Sequence, residues 1–341
     1  MSTGDRSNCG ERIGLTDMHS DLLVDLAARR SRGEKPALKN AFLDDLKKGG
    51  FSLVVASIFI EDRYLPEQAL RKALEQISLL YLEIEESQGE ITLCTSYDDA
   101  VRAVKEGRIG IILSFEGVEP LLGDINLLRV FYRLGVRGVG LTWSRRNQAG
   151  DGCLYSKSVD SNKGGLTEFG FAVLEEADKL GMFVDVSHLN DEGVSDVLRV
   201  TRKPVVASHS CCRAVYGIAR NLTDEQIIQI AGTGGVIGVN SCNILLAADD
   251  RDATTEKYLE HLKHIVNLVG IGHVGFGFDM CEKMEGIDDV ASLPRPLIDV
   301  LGSHADIGAL VDEMEKAGYT SYGLKKIGSE NFLRVLMKTL R

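Results

Sequence analysis

A short apolar run near the start of the chain ends in two residues that can bind metal. The run reads RIGLTDMH, and its His19 is followed two positions later by Asp21. Because the side chains of a β-strand alternate between its two faces, a strand here would point both side chains the same way. An imidazole nitrogen and a carboxylate oxygen are ligands of Zn²⁺ and similar divalent ions. Alone, the pair is a weak indication of a metal site.

Further ionisable residues end later apolar runs of the same kind. They are Glu116 in SFEG, Asp185 and His188 in VDVSH, His209 in ASHS, and Asp279 in GFD. A buried charge at such a place is costly unless it is paired or bound to an ion. The histidines with Asp21 and Glu116 offer more ligands than one ion needs, and would serve two ions that share a carboxylate. Two ions about 3.5 to 4 Å apart hold a bridging hydroxide and polarise a carbonyl or phosphoryl oxygen, so the pattern predicts hydrolysis.

The elements that must position these residues alternate in type along the chain. Eight apolar, β-branched runs begin at Arg12, Phe51, Gly110, Gly138, Met182, Pro204, Gly235 and His273. Between them lie segments of helical period, and Thr167, Asn190 and Thr223 stand where helix N-caps are expected. Alternating strands and helices predict a parallel sheet, and eight units favour an α/β fold of the closed (β/α)8 barrel type. No G-x-G-x-x-G turn follows the first run, which argues against a dinucleotide site.

In a barrel of this kind the C-terminal strand ends converge on one mouth that holds the chemistry. The agreement of four strand ends therefore predicts a metal site there. Asp185 shares a face with Ser187 rather than with His188, which favours capping or pairing inside the barrel over metal binding. Three cysteines lie within three residues of proposed site residues, and we interpret them as small buried side chains rather than thiolate ligands. They are Cys211, Cys212 and Cys281.

Composition limits the classes of partner. The 341 residues carry a net charge of -11, and the longest basic stretch is SRRN, so clustered cations for nucleic acid or an anionic membrane surface are absent from the sequence. No window approaches the roughly 18 apolar residues of a membrane helix. We expect neither a secretion signal nor a lipid anchor, and therefore a cytoplasmic protein. Seven cysteines without C-x-x-C spacing indicate free thiols in a reducing compartment.

No repeat, low-complexity tract or linker divides the chain. We therefore expect one domain over residues 1–341, with extra helices near the C-terminus in DIGALVDEMEKAG and ENFLRVLMKTL.

Six segments in a fixed order carry a more specific signal. They are TDMHSDLL, SFEGVEPL, GLTEFGFAVLEEADKLGMFVDVSH, KPVVASHSCCRAVYGIARNLTDEQI, HVGFGFDM and GSENFLRVL. Together they resemble the renal (membrane) dipeptidase family, metallopeptidases of the amidohydrolase-type barrel, over nearly the whole chain. The resemblance implies a zinc-dependent dipeptidase that often accepts a D-residue on the C-terminal side and forms a homodimer.

The resemblance also implies a role for each site residue. The implied ligands are His19, Asp21 and Glu116 for one zinc ion, and Glu116, His188 and His209 for the other. Arg220 would bind the terminal carboxylate of the substrate, a role that a bidentate guanidinium fits well. A metal-bridging hydroxide would attack the scissile amide carbon, and Asp279 would carry its proton to the leaving amine.

The chain departs from the family pattern at three places. Trp143 stands where well-known members have a histidine near the oxyanion, and we expect it to form an aromatic wall of the pocket or to donate one hydrogen bond through its indole N–H. Cys242 ends an Asn-Ser-Cys step where the family often has Asn-Phe-Tyr, near the substrate. After Asp279, this chain has Met280, Cys281 and Glu282 where the family has Phe-Asp-Gly. These changes bear on substrate preference and leave the metal ligands intact.

Two other functions are compatible with the same residues. Hydrolysis of an N-acyl amino acid or a lactam would use the same ions, and Arg220 favours a free α-carboxylate without separating these substrates. A non-catalytic metal-binding barrel is disfavoured because all five ligands are present. We expect a small dipeptide substrate, two divalent ions best suited to Zn²⁺, no nucleic-acid or membrane partner, and a homodimer.

Overall fold

Eight parallel strands close into a barrel in the computed structural model, which describes residues 14–155, 164–280 and 293–340. The strands described are β1 (Leu15–Ser20), β2 (Phe51–Phe59), β3 (Ile91–Leu93), β4 (Ile109–Glu116), β5 (Val136–Gly140), β6 (Phe183–Asp185), β7 (Val205–Ala207), β8 (Val236–Val239) and β9 (Val274–Phe276). Around the barrel the order is β1-β2-β4-β5-β6-β7-β8-β9, and β9 pairs with β1 again. The predicted (β/α)8 barrel is confirmed, with each predicted apolar run supplying one barrel strand.

One strand, β3, was not predicted. It pairs with the start of β4, with Ile91 opposite Ile109, while β5 pairs with the end of β4 on the same side. On this side of β4, β3 therefore pairs with the N-terminal part of the strand and β5 with the C-terminal part. β3 adds no strand to the barrel. Its three residues are too few to show a period, so the sequence carries no clear signal for it.

Helices follow the strands on the outside of the barrel. Those described are α1 (Leu22–Ser31), α2 (Asp44–Lys48), α3 (Ala69–Glu86), α4 (Tyr97–Lys105), α5 (Asn126–Arg133), α6 (Glu168–Leu180), α7 (Asp191–Val200), α8 (Asp224–Gly232), α9 (Asn243–Leu246), α10 (Thr255–Val269), α11 (Ile307–Lys316), α12 (Ser321–Lys325) and α13 (Asn331–Thr339). The predicted caps are confirmed, since Thr167, Asn190 and Thr223 each accept a backbone N–H of the first turn. Each such cap stabilises its helix by about 1 kcal/mol.

The N-terminal half of the barrel interior is apolar and is closed by the last helix. The packed side chains are Met18, Leu53, Val55, Ile112, Phe183, Val206 and Val236 from the strands, with Phe332, Val335 and Leu336 from α13. The rings of Phe183 and Phe332 meet edge to face with centroids 5.7 Å apart. Each large side chain buried here contributes about 1.5–3 kcal/mol. The predicted C-terminal helix thus closes the barrel at the end opposite the ionisable residues.

Two glycines bring neighbouring strands close together near the other end. A Cβ at Gly277 would lie 1.7 Å from the carbonyl oxygen of Ser208, and one at Gly238 would lie 2.0 Å from the same atom. Only glycine fits at such approaches. The backbone that carries His209 is therefore held against the ends of β8 and β9.

Within the described ranges, no helix combines the length and the apolar character that a membrane crossing requires.

Candidate metal centre

The five predicted ligands converge at the C-terminal end of the barrel. His19 and Glu116 lie at the ends of β1 and β4, Asp21 immediately precedes α1, and His188 and His209 follow β6 and β7. The side chains form two groups whose ligand atoms lie within 4.8 Å of one another. The groups are His19 with Asp21 and Glu116, and Glu116 with His188 and His209. Glu116 belongs to both, as a carboxylate shared by two ions requires.

The two oxygens of Glu116 face different groups. Glu116 Oε2 lies 3.6 Å from His19 Nε2, which is also 3.5 Å from Asp21 Oδ1. Glu116 Oε1 lies 3.0 Å from His188 Nε2 and 3.6 Å from His209 Nε2. These two Nε2 atoms are 2.8 Å apart. Each group therefore points nitrogen and oxygen lone pairs at a common space.

Unpartnered buried atoms mark the same space. His19 Nε2 and Glu116 Oε2 are buried, and neither has a hydrogen-bond partner among the described residues. A buried polar atom without a partner costs about 1–3 kcal/mol. Coordination of a cation would satisfy both atoms, and mixed nitrogen and carboxylate ligands suit Zn²⁺. The residues fit two divalent ions.

Serine hydroxyls hold the outer nitrogens of two histidines. Ser144 Oγ lies 2.8 Å from His188 Nδ1, and Ser208 Oγ lies 2.7 Å from His209 Nδ1. A hydrogen bond at Nδ1 fixes the ring and leaves Nε2 as the ligand atom. Sequence reasoning missed both serines, although each is adjacent to a residue that it had singled out.

Asp185 is engaged by hydrogen bonds behind the site. Its Oδ1 accepts from the backbone N–H groups of Ser187, at 3.0 Å, and Ser208, at 2.9 Å, and its Oδ2 accepts from the Ser208 hydroxyl. The carboxylate also lies within 4.8 Å of ligand atoms of His19 and His209. Because three donors already occupy it, Asp185 acts through Ser208 on His209, which agrees with the pairing role expected from its position.

The electrostatics separate the three histidines. Burial lowers the pKa of His188 and His209 well below the usual value, and nearby positive charge acts in the same direction. For His19, burial also lowers the pKa, but Glu116 and Asp21 outweigh it and hold the net pKa well above the usual value. Burial raises the pKa of Glu116 to about 8, and the charge of Asp21 adds to this. The charges of Asp21 and Asp279 both act on Glu116, so these three carboxylates require compensating positive charge.

Asp279 is fixed beside the first group. The Asn240 side chain donates to Asp279 Oδ2 at 2.9 Å, while Oδ1 lies 3.7 Å from His19 Nε2. Burial raises the pKa of the Asp279 carboxyl. Asp279 and His188 have left-handed backbone, with φ of 57° and 70°. Such strain costs about 1–3 kcal/mol per residue and concentrates at functional sites.

Arg220 lies behind His209 with its Nε–H unused. It is 2% exposed, and it donates from Nη1 to Ser210 Oγ at 3.0 Å and from Nη2 to the His209 carbonyl at 2.8 Å. Its Nε is buried and has no partner in the described parts of the chain. A guanidinium held this way is prepared to receive an anion.

Trp143 forms a wall of the site. Its ring centroid lies 5.7 Å from that of His188 and 5.4 Å from that of Phe59, and Tyr155 packs against the same cluster. The structure thus places the only tryptophan of the chain beside a predicted metal ligand.

The predicted cysteines differ in position. Cys242 is 2% exposed, precedes α9, and donates its backbone N–H to Asn240 Oδ1 at 2.6 Å. Its role at the substrate stays a prediction. Burial raises the pKa of Cys211 to about 12 and that of Cys212 still further, so both thiols stay protonated, as expected of bystanders. Cys281 and Glu282 lie outside the described residues.

A buried carboxylate missed by sequence reasoning joins the two catalytic strand ends. Asp17 Oδ1 accepts from the backbone N–H groups of His19, at 3.2 Å, and Phe278, at 3.0 Å. Asp17 Oδ2 lies 2.8 Å from His304 Nε2. A signal for Asp17 was present in the sequence, because it alternates with His19 and Asp21 along the same apolar run. His304 carries no comparable signal, because it is 287 residues away along the chain.

The comparisons with known proteins agree on one family. The family described as membrane dipeptidase (peptidase family M19) matches residues 7–340. An uncharacterized protein in the pqqA 5' region of Klebsiella pneumoniae is 33% identical over 77% of this chain and 94% of its own length. Dipeptidase verJ of Clonostachys rogersoniana is 29% identical over 79% of this chain, and the match spans 65% of that protein.

A solved structure is similar over the whole barrel. It is the crystal structure of a metallo peptidase from Rhodobacter sphaeroides, liganded with a phosphinate mimic of the dipeptide L-Ala-D-Ala. The TM-score is 0.84 at 28% sequence identity, and the match covers 96% of this chain and 99% of that chain.

Proposed function

The chain belongs to the membrane dipeptidase family, peptidase family M19, and is a metallo-dipeptidase of that family; from this premise we propose that it uses two ions, Zn²⁺ by preference, to hydrolyse L,L- and L,D-dipeptides. The observation that carries the proposal is the sharing of Glu116 between two ligand groups, one oxygen toward each. His19 and Asp21 would complete the first site, and His188 and His209 the second. Bound there, the ions would supply a hydroxide nucleophile and polarise the scissile carbonyl.

Asp279 is the proposed proton carrier. Asn240 occupies Oδ2 and leaves Oδ1 directed toward His19 Nε2. The raised pKa of this carboxyl makes it a better proton acceptor at neutral pH than an ordinary aspartate. It takes a proton as the amide carbon is attacked and returns it to the leaving amine.

Arg220 is the proposed anchor for the terminal carboxylate of the dipeptide. Its hydrogen bond to the His209 carbonyl supports this role, as does its charge, which acts on His188, His209 and Asp279. The unused Nε–H would donate to the carboxylate. Acceptance of a D-residue at the C-terminal position is supported by the L-Ala-D-Ala mimic bound to the Rhodobacter sphaeroides relative.

We further propose a homodimer in the cytoplasm. The family resemblance supports the dimer, and the free, buried state of the five described cysteines suits a reducing compartment. Sedimentation at several protein concentrations and fractionation of cells test these two points.

A substrate panel tests the proposed reaction. Zinc-loaded protein is given L-Ala-L-Ala, L-Ala-D-Ala, L-Ala-L-Ala amide, N-acetyl-L-alanine and a simple lactam. We expect hydrolysis of the two dipeptides and at least a 100-fold lower kcat/KM for the amide, because about 3 kcal/mol of charge-assisted binding is lost with the carboxylate.

Variants of Arg220 are the matched control. The substitution Arg220→Lys keeps the charge but not the fork of donors, and Arg220→Met removes both. We expect the preference for the free dipeptide over its amide to fall stepwise from arginine to lysine to methionine. Faster hydrolysis of N-acetyl-L-alanine or the lactam than of either dipeptide would contradict the proposed substrate class.

A further inference from the structure

The loop that follows Trp143 is fixed against the backbone of a predicted metal ligand. Cys153 donates its N–H to the His188 carbonyl at 2.7 Å, and Gly152 pairs antiparallel with Leu189. A Cβ at Gly152 would lie 1.9 Å from the carbonyl oxygen of Trp143, so glycine is required at this approach. These contacts of Gly152 and Cys153 set the position of Tyr155, which lies two residues after Cys153.

The Tyr155 side chain turns toward the centre. It packs on the cluster of Val24, Phe59 and Trp143, and its ring centroid is 6.4 Å from that of Trp143. The side chain of Ser144 interacts with its hydroxyl. The phenol also interacts electrostatically with Arg220 and Asp279, the two groups that would hold opposite ends of the reacting unit.

Ser144 interacts with both His188 and the Tyr155 hydroxyl. When His188 Nε2 binds an ion, as proposed above, the proton of the neutral ring lies on Nδ1, which then donates to Ser144 Oγ at 2.8 Å. The Ser144 hydroxyl then keeps its own hydrogen, and its effect on the Tyr155 phenol, which is to lower the pKa, is that of a donor. The described residues accept no hydrogen bond from the Tyr155 hydroxyl, so its hydrogen is available to a substrate.

Burial keeps this donor protonated. The loss of hydration is the largest effect on the Tyr155 phenol and raises its pKa, and the charge of Arg220 opposes it without reversing it. A neutral phenol therefore persists over the whole range of pH in which a peptidase is assayed.

We propose that Tyr155 is a catalytic residue of this site, whose hydroxyl donates a hydrogen bond to the carbonyl oxygen of the scissile amide as negative charge develops on it. This role rests on the proposed dipeptidase function. A dipeptide held by its carboxylate at Arg220, with its amide near Asp279, would lie beside the phenol, which interacts electrostatically with both residues. Donors aimed at the developing charge act mainly on kcat.

The substitution Tyr155→Phe removes the donor and keeps the ring. We expect kcat for L-Ala-D-Ala to fall about 100-fold, as when one oxyanion donor is removed, with KM changed less than threefold. Tyr81→Phe is the matched control, since it removes a phenol hydroxyl that donates to the Leu134 carbonyl on the exposed face of α3. It should retain wild-type kcat and KM.

Binding gives a readout that does not depend on turnover. Trp143 is the only tryptophan, so its fluorescence reports titration of the zinc-loaded protein with a phosphinate dipeptide mimic. We expect Tyr155→Phe to weaken phosphinate binding by about the factor lost in kcat/KM, with unchanged zinc content and thermal unfolding.

The outcomes separate this role from its rivals. A Tyr155→Phe variant with wild-type kcat, with a change confined to KM, or with reduced zinc content would overturn the role, the last because Tyr155 would then act only as a support of Ser144 and His188. Absence of dipeptide hydrolysis by the zinc-loaded wild type would overturn the proposed function first. An active wild type with an unaltered variant overturns the role of Tyr155 alone.

Discussion

At the N-terminal end of the barrel, Met18 and Phe183 pack against Phe332 of the last helix, whereas at the C-terminal end His19 and His188 face Glu116. The same strands build both ends, and on β1 the change takes place between adjacent residues, Met18 and His19. The first end is filled with hydrocarbon. The second holds acidic and imidazole side chains that are buried to a similar degree.

The difference lies in what each end contributes. Packed hydrocarbon stabilises the folded chain, whereas the polar end contains unpartnered atoms at His19 and Glu116 and left-handed backbone at His188 and Asp279. Those features cost stability and are offset elsewhere in the molecule. We infer that the two ends can be altered separately, with stability responding at one and chemistry at the other.

The largest effect is expected from Glu116→Gln at the polar end. Loss of the shared carboxylate removes a ligand from both groups, and we expect kcat/KM to fall at least about 10,000-fold, equivalent to about 5.4 kcal/mol. Metal analysis should show fewer than two ions, while the melting temperature of the metal-free protein stays equal or rises, because three crowded carboxylates become two. Glu75→Gln, on the exposed face of α3, is the control. Two tightly bound ions in the Glu116 variant would refute the shared-ligand assignment.

Phe332→Ala tests the apolar end. Truncation of a fully packed phenylalanine should lower the free energy of unfolding by about 3–5 kcal/mol, measured by urea denaturation. Specific activity and metal content below the unfolding transition should stay within twofold of wild type. A loss of metal without a loss of stability would show that the two ends are not separate.

Ser208→Ala probes the hydroxyl between Asp185 and His209. Removal of this outer support should weaken metal affinity about 10- to 100-fold, measured by competition with a chromophoric chelator. The exposed serine of α1, Ser31, gives a control as Ser31→Ala. An unchanged affinity would mean that packing alone orients the His209 ring.

The smallest effect is expected from Trp143→Phe. An aromatic wall survives this change, so kcat/KM should stay within about threefold of wild type. A threefold change corresponds to less free energy than one net hydrogen bond contributes. A loss larger than tenfold in kcat would favour the alternative interpretation, in which the indole N–H donates to the reacting carbonyl. The steady-state constants for L-Ala-D-Ala decide between the two.

Much of the site could be predicted because its residues obey local rules. Alternation along the first apolar run predicted His19 and Asp21 on one side, and the two do converge, although β1 ends at Ser20 and Asp21 is the residue before α1. The runs ending in Glu116, His188 and His209 needed only the rule that strand ends meet at one mouth of a barrel. The capping box of Thr223 and Gln226 is equally local, since its partners are three residues apart. The structure brings these ionisable side chains together and contains this capping box, whereas the roles of the side chains as metal ligands stay predictions.

The partners that hold the site could not be predicted in the same way. Asp17 meets His304 from the far end of the chain, and Ser144 meets His188 across 44 residues. Neither distance corresponds to a helical or strand period, so no pattern marks these pairs before the barrel closes. The same holds for Tyr155, whose position depends on the pairing of Gly152 with Leu189.

The sequence by itself therefore determined the barrel, the ligand types and the end of the barrel at which they meet, because each follows from alternation, capping and strand order. Only the tertiary structure decided which oxygen of Glu116 faces which group, which hydroxyls contact the imidazoles of His188 and His209, and which nitrogen of Arg220 has no partner among the described residues. Those properties depend on the directions of side chains from strands that are distant in sequence. A direction of that kind exists only once the ring of strands has closed.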